Sequence, residues 1–177
     1  ITEEFPEHPF AWKVLGATLK LTGRLSESLV PFQKSVQFAP MDAESHNNLG
    51  IILQELNKLN EAEESFKKAI TLKPDYAEAH SNLGTILYAH KKLNEAEESY
   101  KKVITLKPDY AEAYYNLGIT LKELGRLNEA EDNYKQAIIL KPNYPEAHNN
   151  LGGLLKQRGR SEEALISYNR SIEIKIN

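Results

Sequence analysis

The sequence predicts an all-α protein of about five stacked helix pairs, because one pattern returns every 34 residues and each copy contains two helical segments. KPDYAEAHSNLG at residues 73–84 returns as KPDYAEAYYNLG at 107–118 and as KPNYPEAHNNLG at 141–152. A fixed period of this length is typical of supersecondary units that stack because none can bury its apolar face alone. A hydrophobic content of 41% and a charged content of 27% agree with a folded chain.

The register of the repeat places the same residue types at the same positions. Each copy has a leucine followed by glycine, at residues 15–16, 49–50, 83–84, 117–118 and 151–152. An aromatic residue follows in each copy and a proline closes the first four: Phe32, Phe66, Tyr100, Tyr134 and Tyr168, then Pro40, Pro74, Pro108 and Pro142. We expect small residues such as Gly84 and Ala96 to let paired helices approach closely.

The third copy shows how each repeat divides into two helices. Asp75 followed by Glu78 is a capping-box pattern that predicts the start of the first helix. Asn94 with Glu97 predicts the start of the second helix, which ends before Pro108 because proline supplies no backbone donor. Helical spacing predicts that the buried residues are Ala79, Leu83, Ile86 and Leu87, then Ala96, Tyr100, Val103 and Ile104.

The pattern Trp12, Leu15, Gly16 and Leu19, with the later small, aromatic and proline positions, resembles the tetratricopeptide repeat (TPR). The resemblance covers essentially the whole chain. It predicts five repeats at 9–42, 43–76, 77–110, 111–144 and 145–177, with residues 1–8 as the tail of a preceding repeat. It implies a right-handed superhelical solenoid in which the first helices line a concave groove.

Both ends of the sequence are interpreted as cut from a longer protein. Pro6 lies 34 residues before Pro40, the first residue is Ile1, and no polar capping helix follows the last repeat. Terminal repeats normally need a polar outer face. We therefore expect the uncapped terminal helices to allow self-association, with Ile172 as one of the apolar residues in the contact.

Charge and composition exclude several classes of function. A net charge of −3 and a pI near 6.0 provide no basic field for nucleic acid or an anionic membrane. The absence of cysteine excludes thiol chemistry and, with no visible signal peptide, fits a cytoplasmic protein. Several glutamates precede a lysine by four residues, the spacing of solvated helix ion pairs: Glu63, Glu64, Glu97 and Glu98 precede Lys67, Lys68, Lys101 and Lys102.

No catalytic residue, cofactor site or metal site is predicted. The histidines that recur at one repeat position are interpreted as packing residues rather than metal ligands: His46, His80 and His148.

The first helices carry the predicted ligand-facing surface. Repeats two and three are nearly identical in their second helices, but their first helices differ at Asn47/Ser81, Ile51/Thr85, Gln54/Tyr88, Glu55/Ala89 and Leu56/His90. Most of these positions form one stripe of a helix. Along the array, the stripe predicts a groove for an extended peptide that includes Asn47, Gln54, Tyr88, Tyr115, Lys122, Asn149 and Lys156.

An asparagine precedes the leucine in four repeats: Asn48, Asn82, Asn116 and Asn150. A row of amides can donate to and accept from a peptide backbone without reading its sequence. Similar rows line the groove of the O-linked N-acetylglucosamine transferase repeats, which these units resemble. The alternative is that each asparagine bonds a neighbouring helix, as buried asparagines usually do.

The function predicted is therefore a non-catalytic scaffold that binds a protein or peptide partner in its concave groove. A second hypothesis is a substrate-recruiting arm of a larger enzyme such as a glycosyltransferase, with the catalytic domain outside these 177 residues.

Overall fold

The computed structural model describes residues 7–176, which form ten α-helices joined by short turns. They are α1 (Pro9–Leu21), α2 (Leu25–Phe38), α3 (Ala43–Glu55), α4 (Leu59–Leu72), α5 (Ala77–Ala89), α6 (Leu93–Leu106), α7 (Ala111–Glu123), α8 (Leu127–Leu140), α9 (Pro145–Gln157) and α10 (Ser161–Ile176). The all-α prediction is confirmed, and each successive pair of helices lies within one predicted repeat. The predicted repeat tail around Pro6 lies largely outside the described residues.

The helices divide into two compact bodies, one up to Ile86 and one from Leu87 onward, so the boundary falls within α5. In the N-terminal body, α1 packs on α2, α2 on α3 and α3 on α4. In the C-terminal body, each helix from α6 to α9 packs on the next one in the chain. Each of these helices therefore has its sequence neighbours as packing partners, as expected for a repeat array.

The repeated glycine lets the two helices of a repeat pack closely. A Cβ atom at Gly118 of α7 would lie 2.7 Å from the ring of Tyr134 on α8, closer than carbon atoms can approach. Tyr134 is fully buried, so its ring occupies the space that a larger side chain at residue 118 would need. The same close contact occurs between Gly16 and Phe32, between Gly50 and Phe66, and between Gly152 and Tyr168.

The turns within repeats are closed by the backbone, and the two predicted capping boxes are wrong. Asp75 lies two residues before Ala77, where α5 begins, so it is not in the N-cap position. Asn94 lies inside α6, and the N-cap residue Lys92 makes no side-chain capping bond. For Asn94 the reason is that Lys91 takes a positive φ of 60° and the N–H of Lys92 donates to the Leu87 carbonyl at 2.9 Å, so α6 begins one residue before Asn94.

The same turn occurs in all five repeats. The residue with positive φ is Gly23, Asn57, Lys91, Gly125 or Gly159, and the next N–H donates to a leucine carbonyl five residues earlier at 2.8 to 2.9 Å. The chain therefore reverses direction within a few residues, and in the third repeat the second helix begins before Asn94, the residue predicted to cap it.

Buried glutamates join one repeat to the next. Glu97 on α6 pairs with Lys101 at 2.7 Å, as the spacing predicts, but it is buried and also accepts from Arg126 of the next repeat at 2.7 Å. The interpretation as members of solvated pairs is wrong for Glu63 and Glu97, because both side chains are buried, whereas Glu64 and Glu98 are exposed. Burial alone would raise the pKa of Glu97, but hydrogen bonds from Lys101 and Arg126 outweigh it and lower that pKa.

Candidate functional site

The predicted site residues lie along the first helices of the repeats, on a surface called here the first-helix face. In the N-terminal body it comprises Lys13, Ala17 and Lys20 of α1, Asn47, Asn48, Ile51 and Gln54 of α3, and Asn82 of α5. In the C-terminal body it comprises Tyr88, Tyr115, Asn116, Lys122, Asn149, Asn150 and Lys156. Asn47 is buried, Asn149 and Lys156 are exposed, and the other predicted site residues are half-buried.

Two asparagines of the predicted row bond the preceding repeat. The Asn82 amide donates to the Asn47 side-chain oxygen at 3.1 Å, and the Asn150 amide donates to the Tyr115 hydroxyl at 3.0 Å. Both bonds join neighbouring first helices across 35 residues of sequence, as expected if each asparagine bonds a neighbouring helix. An amide has two N–H donors and an oxygen acceptor, so each of these bonds occupies only part of its capacity. The bonds hold Asn82 and Asn150 in place while leaving polar groups for a ligand.

In the N-terminal body an open recess of about 330 Å³ lies between α1 and α3. Its walls are mostly apolar, and they comprise Ala17, Lys20, Leu21, Phe32, Asn48, Ile51 and Ile52. Leu21 is 86% exposed at the edge of the recess. The recess therefore combines apolar side chains, one of them aromatic, with one half-buried amide, that of Asn48.

Sequence reasoning missed three apolar residues of α1 that are exposed: Phe10, Val14 and Leu21. The repeat register could have found them, because Glu44, Asn48 and Glu55 stand at the equivalent positions of α3. The first helix of the first repeat is therefore more apolar on this side than the first helix of the second.

The lysines of α1 are neutralised by acidic groups nearby. Lys13 pairs with Asp42 at 3.0 Å and with Glu44 at 2.7 Å, and Lys20 pairs with Glu55 at 2.7 Å. Burial alone would lower the pKa of Lys13, but the hydrogen bonds to Glu44 and Asp42 outweigh it and raise that pKa. These cations are therefore already paired next to the recess.

In the C-terminal body, tyrosine rings support the first-helix face. The Tyr115 ring centroid lies 4.9 Å from that of Tyr144 and 6.2 Å from that of Tyr134. Burial raises the pKa of Tyr115, and its hydroxyl oxygen accepts the hydrogen bond from the Asn150 amide. Lys91 lies over the Tyr88 ring at 5.5 Å.

Lys122 and Lys156 differ from the lysines of α1. They lie in the last turns of α7 and α9, one repeat apart. Among residues 7–176, neither is part of an ion pair. This part of the face therefore has cations available for an acidic ligand.

Replacing Tyr134 by phenylalanine is expected to raise the free energy of unfolding by about 1 kcal/mol. The Tyr134 hydroxyl is buried and has no hydrogen-bond partner within the described residues, and α4 carries Phe66 at the equivalent position. Urea unfolding of the two proteins measures the difference. A loss of stability in Tyr134→Phe would instead mean that the hydroxyl is hydrogen-bonded in solution.

The recurring histidines close the turns between repeats. A ring nitrogen of His46, His80 and His148 lies 2.9 to 3.0 Å from the carbonyl oxygen of Pro40, Pro74 and Pro142, respectively. Each of these rings therefore has a structural bond to the turn that precedes its own helix.

None of the helices in the described part of the chain combines the length and hydropathy needed to cross a membrane.

Comparison with known proteins decides the family. Family models described as TPR repeat match residues 84–125 and 120–159, and models described as tetratricopeptide repeat match residues 43–76 and 145–175. The chain belongs to the tetratricopeptide repeat family. Comparison of this TPR chain with curated proteins gives no significant match.

Solved structures show that the fold is that of TPR proteins. MamA is 26% identical with a TM-score of 0.83, over 90% of this chain and 94% of that chain. PilF of Pseudomonas aeruginosa is 23% identical with a TM-score of 0.85, over 93% of this chain and 75% of that chain. YrrB, described as a TPR protein with an unusual peptide-binding site, is 21% identical with a TM-score of 0.80, over 99% and 91% of the two chains. The predicted fold class, an all-α TPR solenoid, is confirmed.

Proposed function

We propose that this TPR chain is a protein-interaction scaffold that binds an extended peptide segment of a partner through its first-helix face. The observation that carries the proposal is the recess between α1 and α3, where apolar walls lie beside the Asn48 amide. An apolar side chain of a peptide can enter the recess while the amide bonds its backbone. The description of YrrB as a peptide-binding TPR protein supports this use of the fold.

The C-terminal body offers a different chemistry to a peptide. Tyr115 provides a large aromatic surface at low entropic cost, and Asn150 is held beside it. The unpaired Lys122 and Lys156 favour acidic side chains. A segment bound there would therefore be richer in acidic residues than one bound in the N-terminal recess.

The hypothesis of a recruiting arm of a larger enzyme uses the same surface. A recruiting arm also holds a peptide segment of its substrate, so peptide binding by the first-helix face comes first in either case. The catalytic domain that this hypothesis requires lies outside these 177 residues, and the hypothesis stays a prediction.

The double variant Leu21→Glu with Ile51→Glu is expected to weaken peptide binding by about tenfold or more. Both side chains line the recess, and Leu21 is largely exposed, so the added carboxylates place charge where an apolar side chain must be buried. Peptides are first selected from a displayed random library on the wild-type chain, and their dissociation constants are then measured by calorimetry.

The matched control is Val30→Glu, the same kind of change at an exposed residue of the second helix α2. It is expected to leave the affinity unchanged. A library that yields no peptide would refute the proposed function. Peptides that bind the double variant as tightly as wild type would refute binding in the recess, and a loss of their affinity in Lys122→Glu with Lys156→Glu would instead place them on the C-terminal part of the first-helix face.

A further inference from the structure

A second groove lies in the C-terminal body, on the side formed by second helices. It has a volume of about 450 Å³ and runs between α8 and α10 over α9. We call it the second-helix groove and define it by Lys135, Ile138, Ile139, Leu151, Ile166 and Arg170. Its volume is within the range of about 300 to 1,000 Å³ found for ligand sites.

Two isoleucines at the edges of the groove break the pattern of the repeat. Ile139 is 69% exposed and Ile166 is 70% exposed. The position of Ile139 holds Thr105 in the third repeat, and the position of Ile166 holds Glu98 and Asp132 in the third and fourth. Two positions that are polar in those neighbouring repeats are therefore apolar on facing walls of one groove, whereas exposed apolar residues usually occur singly.

The exposure of Ile166 does not arise because α10 is the last helix. Glu98 and Asp132 are exposed although another repeat follows each of them. Leu165 is different: it is 60% exposed, whereas its equivalent Glu131 is only 4% exposed because the next repeat covers it. Ile166 thus lies on a surface that stays open to solvent along the array.

The charged side chains that line the groove are positive. Lys135 and Arg170 line it, and no acidic side chain is among its lining residues within the described chain. Arg170 pairs with Glu173 at 3.2 Å, but both side chains are about half exposed, so this surface pair is weak and solvent reaches the guanidinium. Lys135 pairs with Glu131 at 2.6 Å, but that one carboxylate is shared with Arg158 and Arg160. The groove therefore has cations at its rim that a negative partner can approach.

The side chains that line the groove also determine which backbone conformation of a bound peptide is favoured. The N–H and C=O groups of α8, α9 and α10 are mostly used within the helices, and the walls are mainly isoleucine and leucine. An extended peptide would leave its own backbone groups without partners there, whereas a helix satisfies them internally.

We propose that the second-helix groove docks an amphipathic helix of a partner protein. The apolar stripe of that helix packs between Ile139 and Ile166, and its acidic flank faces Lys135 and Arg170. This surface is separate from the first-helix face and does not depend on the function proposed for it.

The test is a displayed library of amphipathic helices in which the apolar stripe and its flanking positions vary. The library is selected on the wild-type chain, and the dissociation constants of the selected peptides are measured on wild type and on Ile139→Thr with Ile166→Glu. These changes restore residue types found in other repeats at exposed positions, so circular dichroism and melting are expected to stay unchanged. If the double variant loses helicity, Ile139→Thr alone provides the comparison.

We expect the selected helices to have Asp or Glu at their flanking positions. Their binding to the double variant is expected to be weaker than to wild type by about tenfold or more, and their binding to wild type is expected to weaken in high salt. No enrichment, basic flanks, or equal binding to wild type and variant would overturn the proposal. A wild-type dimer in light scattering that becomes a monomer in the double variant would also overturn it, because the occupant would then be a second copy of the chain.

Discussion

Replacing Gly118 by alanine is expected to lower the free energy of unfolding by about 2 kcal/mol. The new methyl carbon would lie 2.7 Å and 2.8 Å from two ring carbons of Tyr134 and 3.3 Å from the Ala130 carbonyl oxygen. Tyr134 is fully buried, so its ring cannot retreat without moving α8 away from α7. Urea unfolding followed by circular dichroism measures the change.

Gly153→Ala is the matched control, because this glycine also lies within a helix of the C-terminal body. A methyl carbon there would meet only the Tyr168 hydroxyl, at an ordinary contact distance of 3.5 Å. Alanine favours helix over glycine by about 0.5 to 1 kcal/mol, so this variant is expected to be more stable than wild type. Changes of the same sign in the two variants would show that close helix packing is not what selects Gly118.

Replacing Glu131 by glutamine is expected to lower the free energy of unfolding at neutral pH by about 1 to 2 kcal/mol. The carboxylate is buried and pairs with Lys135, Arg158 and Arg160, two of which belong to the next repeat. Glutamine keeps the shape but leaves three cations without their shared negative charge. The three cations are partly exposed, which keeps the cost below that of a fully buried unpaired charge.

The effect of Glu131→Gln is expected to disappear in acid. Burial alone would raise the pKa of Glu131, but hydrogen bonds from Lys135 and Arg160 outweigh it and lower that pKa below its ordinary value of 4.5. A carboxyl group with a lowered pKa stabilises the fold above its unfolded pKa, and this contribution is lost as the pH falls through the folded pKa. Wild type and variant should therefore converge in stability as the pH falls below about 4.5.

Asp132→Asn provides the control for a carboxylate on the same helix, because Asp132 is exposed. It is expected to change the free energy of unfolding by less than about 0.5 kcal/mol. A pH-independent difference between wild type and Glu131→Gln would mean that packing of the side chain, not its charge, links the two repeats.

Much of the fold follows from the period of 34 residues. Helix existence and the core follow from local spacing, so Ala79, Leu83, Ile86 and Leu87 are buried as predicted. The capping boxes failed because helix starts depend on the turn before them. The turn at Lys91 uses a backbone bond that the residue pattern does not reveal.

The sequence predicted that the site residues lie on first helices, but it did not predict which residues they bond to. The bonds of Asn82 to Asn47 and of Asn150 to Tyr115 join residues 35 apart, so they depend on how one repeat lies against the next. The burial of Glu131 also depends on how the repeats pack, so it cannot be predicted from the four-residue spacing between Glu131 and Lys135.

By itself the sequence determined the repeat, the number and type of elements, and the apolar positions, because these depend on residues close together in the chain. The tertiary structure decided which polar groups are paired between repeats and where exposed isoleucines meet in a groove. Those outcomes depend on the angle and distance between packed helices, and these are set by contacts such as Gly118 with Tyr134 rather than by local spacing.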